Sequence, residues 1–458
     1  MIRFSLKQAA GSLNGHLYGA NAEFSGVSTD SRNIGEQELF VALAGERFDA
    51  HDFVAEVAEK GGVGAVVERR LDAALPQIQV ADTRLALGGL GHMWRQACGA
   101  RVVALTGSNG KTTVKEMIAA ILRQRGAVLA TRGNLNNDIG VPLTLTRLQD
   151  EVFAVVEMGA NHAGEIDYLT RLTRPHVAVL NNAGRAHLEG FGSVEAVARA
   201  KAEILNGLED GGTFVFPADS RWTPLWRELA GTRRVLTFGM TGEADVSAAP
   251  DAPRLVWNDA GFHQAFQVRL PGAELRVQLA LAGEHNRRNA LAAIAAVHCL
   301  GVDAEAMAIG LAQLAPVRGR LAPLHGVRGL RLLDDTYNAN PDSVGAALEV
   351  LAVAPGRRFL VLGDLGELGP RSDEFHAELG RAARAEGVDA LFTLGVASQA
   401  AAREFGVEGR HFSSLDALLE ALEREAGEGD TVLIKGSRSA RMERVVSALK
   451  PSEDSVPC

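Results

Sequence analysis

The chain has 458 residues, 47% of them hydrophobic, with 47 Lys and Arg against 56 Asp and Glu for a formal charge of −9. That length suggests about three domains with ample apolar material for their cores, and an acidic balance without a basic block argues against a nucleic-acid partner while leaving room for anionic small substrates in a local Lys/Arg pocket. Cys98, Cys299 and Cys458 build neither a disulfide framework nor a thiolate metal site, and no signal-peptide core or membrane-length apolar run is found, so the expectation is a soluble, cytoplasmic protein of a reducing compartment with no transmembrane segment; a monomer is expected, although these features do not fix the oligomeric state.

Residues 1–83 read as a small α/β domain. A polar turn, Asp30-Ser31-Arg32, follows Val27-Ser28-Thr29, with strands expected at 39–43 and 64–67 and a helix at 53–60. A helix at 85–97 leads into a second unit, 84–316. There strands are expected at 101–105, 152–156, 177–180 and 213–216, with helices at 114–123, 166–172, 193–208 and 286–300. This βα rhythm argues for a mostly parallel sheet. Pro316 to Arg320 reads as a boundary. Beyond it, in 317–458, strand runs at 331–333, 359–362, 390–394 and 431–434 are separated by helices and give a second Rossmann-like unit, without a convincing dinucleotide glycine fingerprint. Residues 451–458 read as a loose tail.

The most informative string is Thr106-Gly107-Ser108-Asn109-Gly110-Lys111-Thr112-Thr113, between an apolar strand and a helix. Strand, glycine-rich turn, Lys-Thr and helix form the geometry that cradles nucleotide phosphates. The glycines let backbone amides approach, Lys111 reaches the outer phosphates, Thr112 offers its hydroxyl to Mg²⁺, and the helix start adds a favourable field. The standard pattern has four residues between its glycines and this string has two; the strand and helix on either side carry the reading.

Glu157 ends the next apolar strand, at the sheet edge near this loop. There it either holds Mg²⁺, directly or through water, or is a solvated strand end. His187, in the polar loop 181–189, reads as a metal ligand, an acid/base group or an ordinary loop residue. Lys201 interrupts the apolar stripe of Val197, Ile204 or Leu205, and Leu208. Either its stem snorkels, or its amine meets a partner in the active crevice; conversion to a carbamate would reverse its sign and supply metal-binding oxygens. The segment from Leu332 to Pro341 recognises a nucleotide sugar or phosphate, or is a capped loop. Arg320 would reach a γ-phosphate if the last domain closes over the central one. Lys435-Gly436-Ser437-Arg438 binds a carboxylate or phosphate, or is a basic surface turn.

Together these strings resemble the bacterial Mur ligase family. The resemblance spans nearly the whole chain and includes Ser28-Thr29-Asp30-Ser31-Arg32, Leu39 to Gly45, the phosphate loop, Val156 to His162, Lys201-Ala202-Glu203-Ile204, Glu284 to Ala290 and Asp335 to Pro341. It implies an α/β, three-domain architecture: a UDP-substrate-binding domain (1–83), a central P-loop ATPase-like domain that binds ATP (84–316) and a mobile C-terminal Rossmann-like ligase domain (317–458). It implies that Gly107, Asn109, Gly110, Lys111, Thr112 and Thr113 hold ATP, with Asn286 at the adenine and Arg320, Asp335, Tyr337 and Asn340 contributed by the last domain. Thr112, Glu157, His187 and a carbamylated Lys201 would organise Mg²⁺, and Lys111, Lys201 and Arg320 would form the catalytic set. Ser31, Arg32, Asn134, Asn136 and Asn137 would bind substrate.

Within the family, Gly133 to Thr144 and Leu362 to Gly369 look like the dipeptide-adding branch. The Asp-Asn-Pro-Arg string of the diaminopimelate-adding relatives is absent. Cyanophycin and folylpolyglutamate ligases share a similar ATP core but fit the outer domains less well. The implied activity is ATP-dependent ligation of D-alanyl-D-alanine to UDP-N-acetylmuramoyl-tripeptide through an acyl phosphate. That would make the pentapeptide precursor of peptidoglycan and serve cell-wall biogenesis, cell shape and division. A reading of a different class is a nucleotide-gated protein-binding module, in which the same loop drives domain motion without ligation.

Overall fold

A computed structural model describes residues 2–46, 48–249, 255–258 and 261–451. Most of the tail expected at 451–458 therefore lies outside the described residues. The described chain builds three main sheets; one apolar cluster joins the first sheet to one face of the central sheet, and separate clusters cover the central sheet's other face and the C-terminal sheet.

The first sheet has five strands in the order His16–Tyr18, Gln77–Gln79, Gly64–Val67, Glu38–Val41 and Gly26–Ser28. Gly64–Val67 is buried along its whole length, as its unbroken apolar run requires. The helix expected at 53–60 is shorter: a 3-10 turn, Ala50–Phe53, leads into Val54–Glu59, with the Asp49 carboxylate accepting from the His51 backbone N–H at the turn's start.

The central sheet has ten strands. Val128–Ala130, Phe153–Glu157, Arg101–Thr106, Val177–Leu180, Thr213–Pro217, Arg234–Gly239 and Val246–Ala248 run parallel in that spatial order. The expected parallel character stops there, because Gly261–Leu270 pairs antiparallel with Val246–Ala248, Val256–Asn258 and Ala273–Leu279. The helix Lys111–Leu122 packs between this sheet and the helices Glu284–His298 and Ala304–Ala312. It starts at Gly110, whose φ of 77° is left-handed and where a Cβ would stand 2.5 Å from Asn289 Oδ1, so conformation and space both demand glycine.

The single helix expected at 193–208 breaks. Ser193 caps Val194–Ala202, and the chain then tightens into a 3-10 turn, Glu203–Gly207. The Glu203 carboxylate accepts from the backbone of Gly164 and Asp167, and the Thr170 hydroxyl donates to the Ile204 carbonyl. Those bonds draw the turn onto the neighbouring helix. Trp226 holds the other side of Val194–Ala202: fully buried against Phe216, it donates from Nε1 to the Ala198 carbonyl at 3.1 Å. Trp226→Ala should destabilise the central unit by about 3–5 kcal/mol, seen as an earlier urea midpoint by circular dichroism; an unchanged midpoint would refute this packing role.

The third sheet runs Ala322–His325, Arg331–Asp335, Thr431–Lys435, Arg358–Gly363, Ala390–Leu394 and Gly409–Phe412, parallel after the first pair. Crossovers on either side of Thr431–Lys435 open a crevice at the carboxyl ends of its strands, where doubly wound sheets bind ligands. No helix among the described residues is long and apolar enough to cross a membrane.

Candidate active site

A cleft of about 1340 Å³ is lined by the carboxyl-end loops of the central and C-terminal sheets. The phosphate loop forms its floor. Asn109 is gripped from the neighbouring strand's loop: its N–H donates to Asn182 Oδ1 at 2.9 Å, and its carbonyl accepts from the side-chain amides of Asn181 and Asn182, both at 3.0 Å. Asn181 also donates to Asn289 Oδ1 at 3.0 Å. The turn is thus preformed before the helix Lys111–Leu122, whose first amides point into the cleft.

Lys111 Nζ donates to the Gly107 carbonyl at 2.7 Å. Burial pushes its pKa below the ordinary lysine value, with the nearby Glu157 carboxylate opposing and the Arg320 charge adding to the shift. Glu157 is buried: Oε1 accepts from Asn136 Nδ2 at 2.8 Å, while Oε2 has no hydrogen-bond partner. A buried carboxylate oxygen left open costs energy unless a cation or donor meets it. Among the described residues no three His, Cys, Asp or Glu side chains converge as a metal cage. An ion here would share Glu157 and the Thr112 hydroxyl with the nucleotide phosphates, as magnesium sites commonly do.

His187 lines the same cleft with a left-handed φ of 54°. Its Nδ1 lies 2.5 Å from Glu367 Oε2, which arrives from the C-terminal unit. That nitrogen meets no hydrogen-bond partner of good geometry, but the His187 side chain is the largest influence holding the Glu367 carboxyl below its usual range. Lys201 is fully buried behind the cleft wall, with no hydrogen-bond partner for Nζ, which sits 5.6 Å from the Phe191 ring centroid. Burial first and the Lys111 charge second lower its pKa to about 7, against the opposing pull of Glu165 and Glu203.

The C-terminal unit closes the other side. Arg320 Nη2 donates to Thr112 Oγ1 at 3.1 Å, and its guanidinium lies 3.9 Å from the Tyr337 ring centroid. Asn340 donates to Asn109 Oδ1 at 2.7 Å. Asp335 accepts from Lys435 Nζ at 2.6 Å, which spends that lysine's charge within the unit. Asn286 is buried at the cleft, donating to the Ala282 carbonyl and accepting from Asn289.

Gly110, Lys111, Thr112, Thr113, Asn109, Glu157, His187, Asn286, Arg320, Asp335, Tyr337 and Asn340 all border this one cleft, as do Asn134, Asn136 and Asn137. Gly107 lies beneath it, packed on Asn181. Ser31 and Arg32 do not line it. They sit in the first unit, where Asp30 binds the Arg32 guanidinium and Lys60 donates to the Ser31 carbonyl. The sequence reading did not single out Asn181, Asn182, Asn289 or Glu367 as site residues. A faint signal for the first two was present: they directly follow the strand adjacent to the phosphate-loop strand.

Comparison with known proteins narrows the setting. The family model for the Mur ligase middle domain matches residues 105–297, and that for the Mur ligase glutamate ligase domain matches 319–438. The chain is 47% identical over 459 residues to the UDP-N-acetylmuramoyl-tripeptide–D-alanyl-D-alanine ligase of Escherichia coli (strain K12), covering 98% of this chain and 99% of that protein. It superposes on MurF from Acinetobacter baumannii with a TM-score of 0.92 at 39% identity, over 98% of this chain and 99% of that one. The MurF ligase from Thermotoga maritima in complex with ADP aligns with a TM-score of 0.81 at 30% identity, over 92% of this chain and 96% of that one.

Proposed function

The chain belongs to the Mur ligase family, and from that premise we propose that it joins D-alanyl-D-alanine to the free carboxylate of UDP-N-acetylmuramoyl-tripeptide, with cleavage of ATP to ADP and phosphate. The observation that carries the reading is one cleft in which a lysine-bearing phosphate loop meets an open buried carboxylate, Glu157, on one side and Arg320 on the other. The end-to-end match to ligases of that name supports the choice of substrates.

A carboxylate resists attack by an amine. Transfer of the γ-phosphoryl group to it makes an acyl phosphate with a good leaving group; the dipeptide amine then attacks the carbonyl, and the tetrahedral intermediate collapses to amide and phosphate. Lys111, released from the Gly107 carbonyl, would neutralise the outer phosphate oxygens. Arg320 would add its charge from the C-terminal unit. Closure of that unit excludes water that would hydrolyse the activated acyl group. The residues present fit Mg²⁺: Thr112, Glu157, His187 and a carbamylated Lys201 would hold it, directly or through water. When bound, the ion supplies further neutralisation of the crowded oxygens.

The division into 1–83, 84–316 and 317–458 belongs to this reading and is supported by the separation of the three sheets. So does work as a monomer in the cytoplasm, the compartment that fits a nucleotide-linked substrate. Incubating the pure protein with UDP-tripeptide, ATP, Mg²⁺ and D-alanyl-D-alanine should give the UDP-pentapeptide by mass spectrometry, with one ADP per amide. Lysine- and diaminopimelate-containing acceptors are compared side by side to identify the third residue. ATP cleavage without amide product would reject the assignment and favour a nucleotide-gated binding module.

A further inference from the structure

The loop at 181–187 faces two ways. Toward the central sheet it is bonded to the phosphate loop: the Ser108 N–H donates to the Asn182 carbonyl at 3.1 Å, and the Gly184 N–H to Ser108 Oγ at 3.0 Å. Toward the C-terminal unit it presents Arg185, which the chemistry above does not use. Arg185 Nε donates to Asp342 Oδ1 and its backbone N–H to Asp342 Oδ2, both at 2.7 Å, while Nη1 donates to Glu378 Oε1 at 2.8 Å. Asp342 lies in the first turn of the helix Pro341–Ala352, and Glu378 on the helix Ser372–Ala385. One guanidinium from the central unit is therefore gripped by carboxylates on two separate helices of the other unit.

The surroundings are shaped for this grip. A Cβ on Gly184 would stand 2.4 Å from Asp342 Oδ2, so only glycine lets that carboxylate approach. The helix that carries Asp342 is capped by Asn340, whose side-chain amide reaches Asn109 of the phosphate loop. The Arg185 bonds and the nucleotide-facing bond thus share one rigid helix start.

We propose that Arg185 is an interdomain latch that holds the C-terminal unit shut on the phosphate loop. It is a positioning residue: by fixing Asp342 and Glu378 it sets where Asn340 and Arg320 stand. Arg185, Asp342 and Glu378 are each partly exposed, so salt screens the latch and it releases readily. A weak, reversible hold suits a unit that must reopen to discharge product. The latch rests on the reading of the cleft as a nucleotide site, but its test needs no ligation.

Small-angle X-ray scattering of the full chain, titrated with a non-hydrolysable ATP analogue and Mg²⁺, reads the closure. Arg185→Ala should need about five- to tenfold more analogue than the unaltered protein to reach the same compaction. Glu378→Ala, altered on the other unit, should shift the titration in the same direction, and the double variant should be no worse than Arg185→Ala alone. Added sodium chloride should weaken closure of the unaltered protein more than that of Arg185→Ala. Equal compaction of Arg185→Ala and the unaltered protein at the same analogue concentration, or effects of the two single substitutions that multiply, would overturn the latch. If the unaltered protein compacts but makes no amide, the ligase reading fails and the latch stands.

Discussion

Lys201→Ala is expected to reduce turnover by about 10³-fold or more, with added acetate or formate restoring part of the loss. The side chain is fully buried and its amine meets no hydrogen-bond partner. A second amine, that of Lys111 in the cleft, is close enough for the two charges to repel. Two ammonium groups so placed repel each other, and the carboxylates of Glu165 and Glu203 offset the cost at Lys201 only in part; one remedy is chemical. With its proton lost, the Lys201 nitrogen can attack carbon dioxide: an N–C bond forms, a proton leaves to solvent, and the product is a carbamate anion. Repulsion from Lys111 then becomes attraction, and two oxygens become available beside the cleft. Labelled bicarbonate should give a carbamate carbon signal by NMR in the unaltered protein and none in Lys201→Ala. An alanine variant with full activity would remove the carbamate from the mechanism.

The same residue makes a stability prediction with a definite sign. Burial brings the amine from its ordinary 10.5 down to about 7 in the folded chain. Below about 7 folded and unfolded chains both bind the proton, and the fold bears the full cost of the buried charge. Between about 7 and 10.5 the unfolded chain binds the proton and the folded chain does not, so this group makes stability rise with pH across that window. A carbamate removes the same cost. Bicarbonate near neutral pH should therefore raise the melting temperature of the unaltered protein and leave that of Lys201→Ala unmoved.

Features encoded by nearby residues were legible in the sequence. The phosphate loop needs a strand, two glycines, Lys111 and a helix start within one short string, and buried parallel strands such as Val177–Leu180 announce themselves as unbroken apolar runs. The antiparallel hairpin Gly261–Leu270 with Ala273–Leu279 escaped notice, although its alternation is regular. Gln264 occupies a buried position in it, satisfied by the Leu281 carbonyl, and so interrupts the apolar code. Periodicity put Lys201 on an apolar face but could not separate a snorkelling stem from a buried amine; that needs the surroundings of Nζ. Bonds between residues far apart in the chain were out of reach for a different reason. Asn181 meets Asn289 across 108 residues and Arg185 meets Glu378 across 193, and only the topology brings such pairs together.

Arg320→Ala should lower kcat by about 10²- to 10³-fold while changing ATP affinity far less. The backbone aims this side chain. Gly319 and Leu321 on either side both have left-handed φ, 74° and 53°, a costly conformation for leucine, held by the Leu321 N–H donating to Asp335 Oδ1 and the Tyr337 N–H donating to the Gly319 carbonyl. Stacked on Tyr337, the guanidinium crosses the cleft to Thr112. That bond joins the two units, so on the proposed closure the guanidinium's charge would matter most at the moment of phosphoryl transfer. Arg320→Lys keeps the charge but loses the planar stack and fork, and should fall between the two. Gly319→Ala should reproduce part of the loss without touching the guanidinium, because its Cβ would enter a left-handed turn 3.2 Å from the Tyr337 backbone nitrogen. Steady-state kinetics with calorimetric ATP binding separates the alternatives. An Arg320→Ala variant with unchanged kcat and a raised KM for ATP would mean that the residue only grips the ground-state nucleotide, and the transition-state role would be withdrawn.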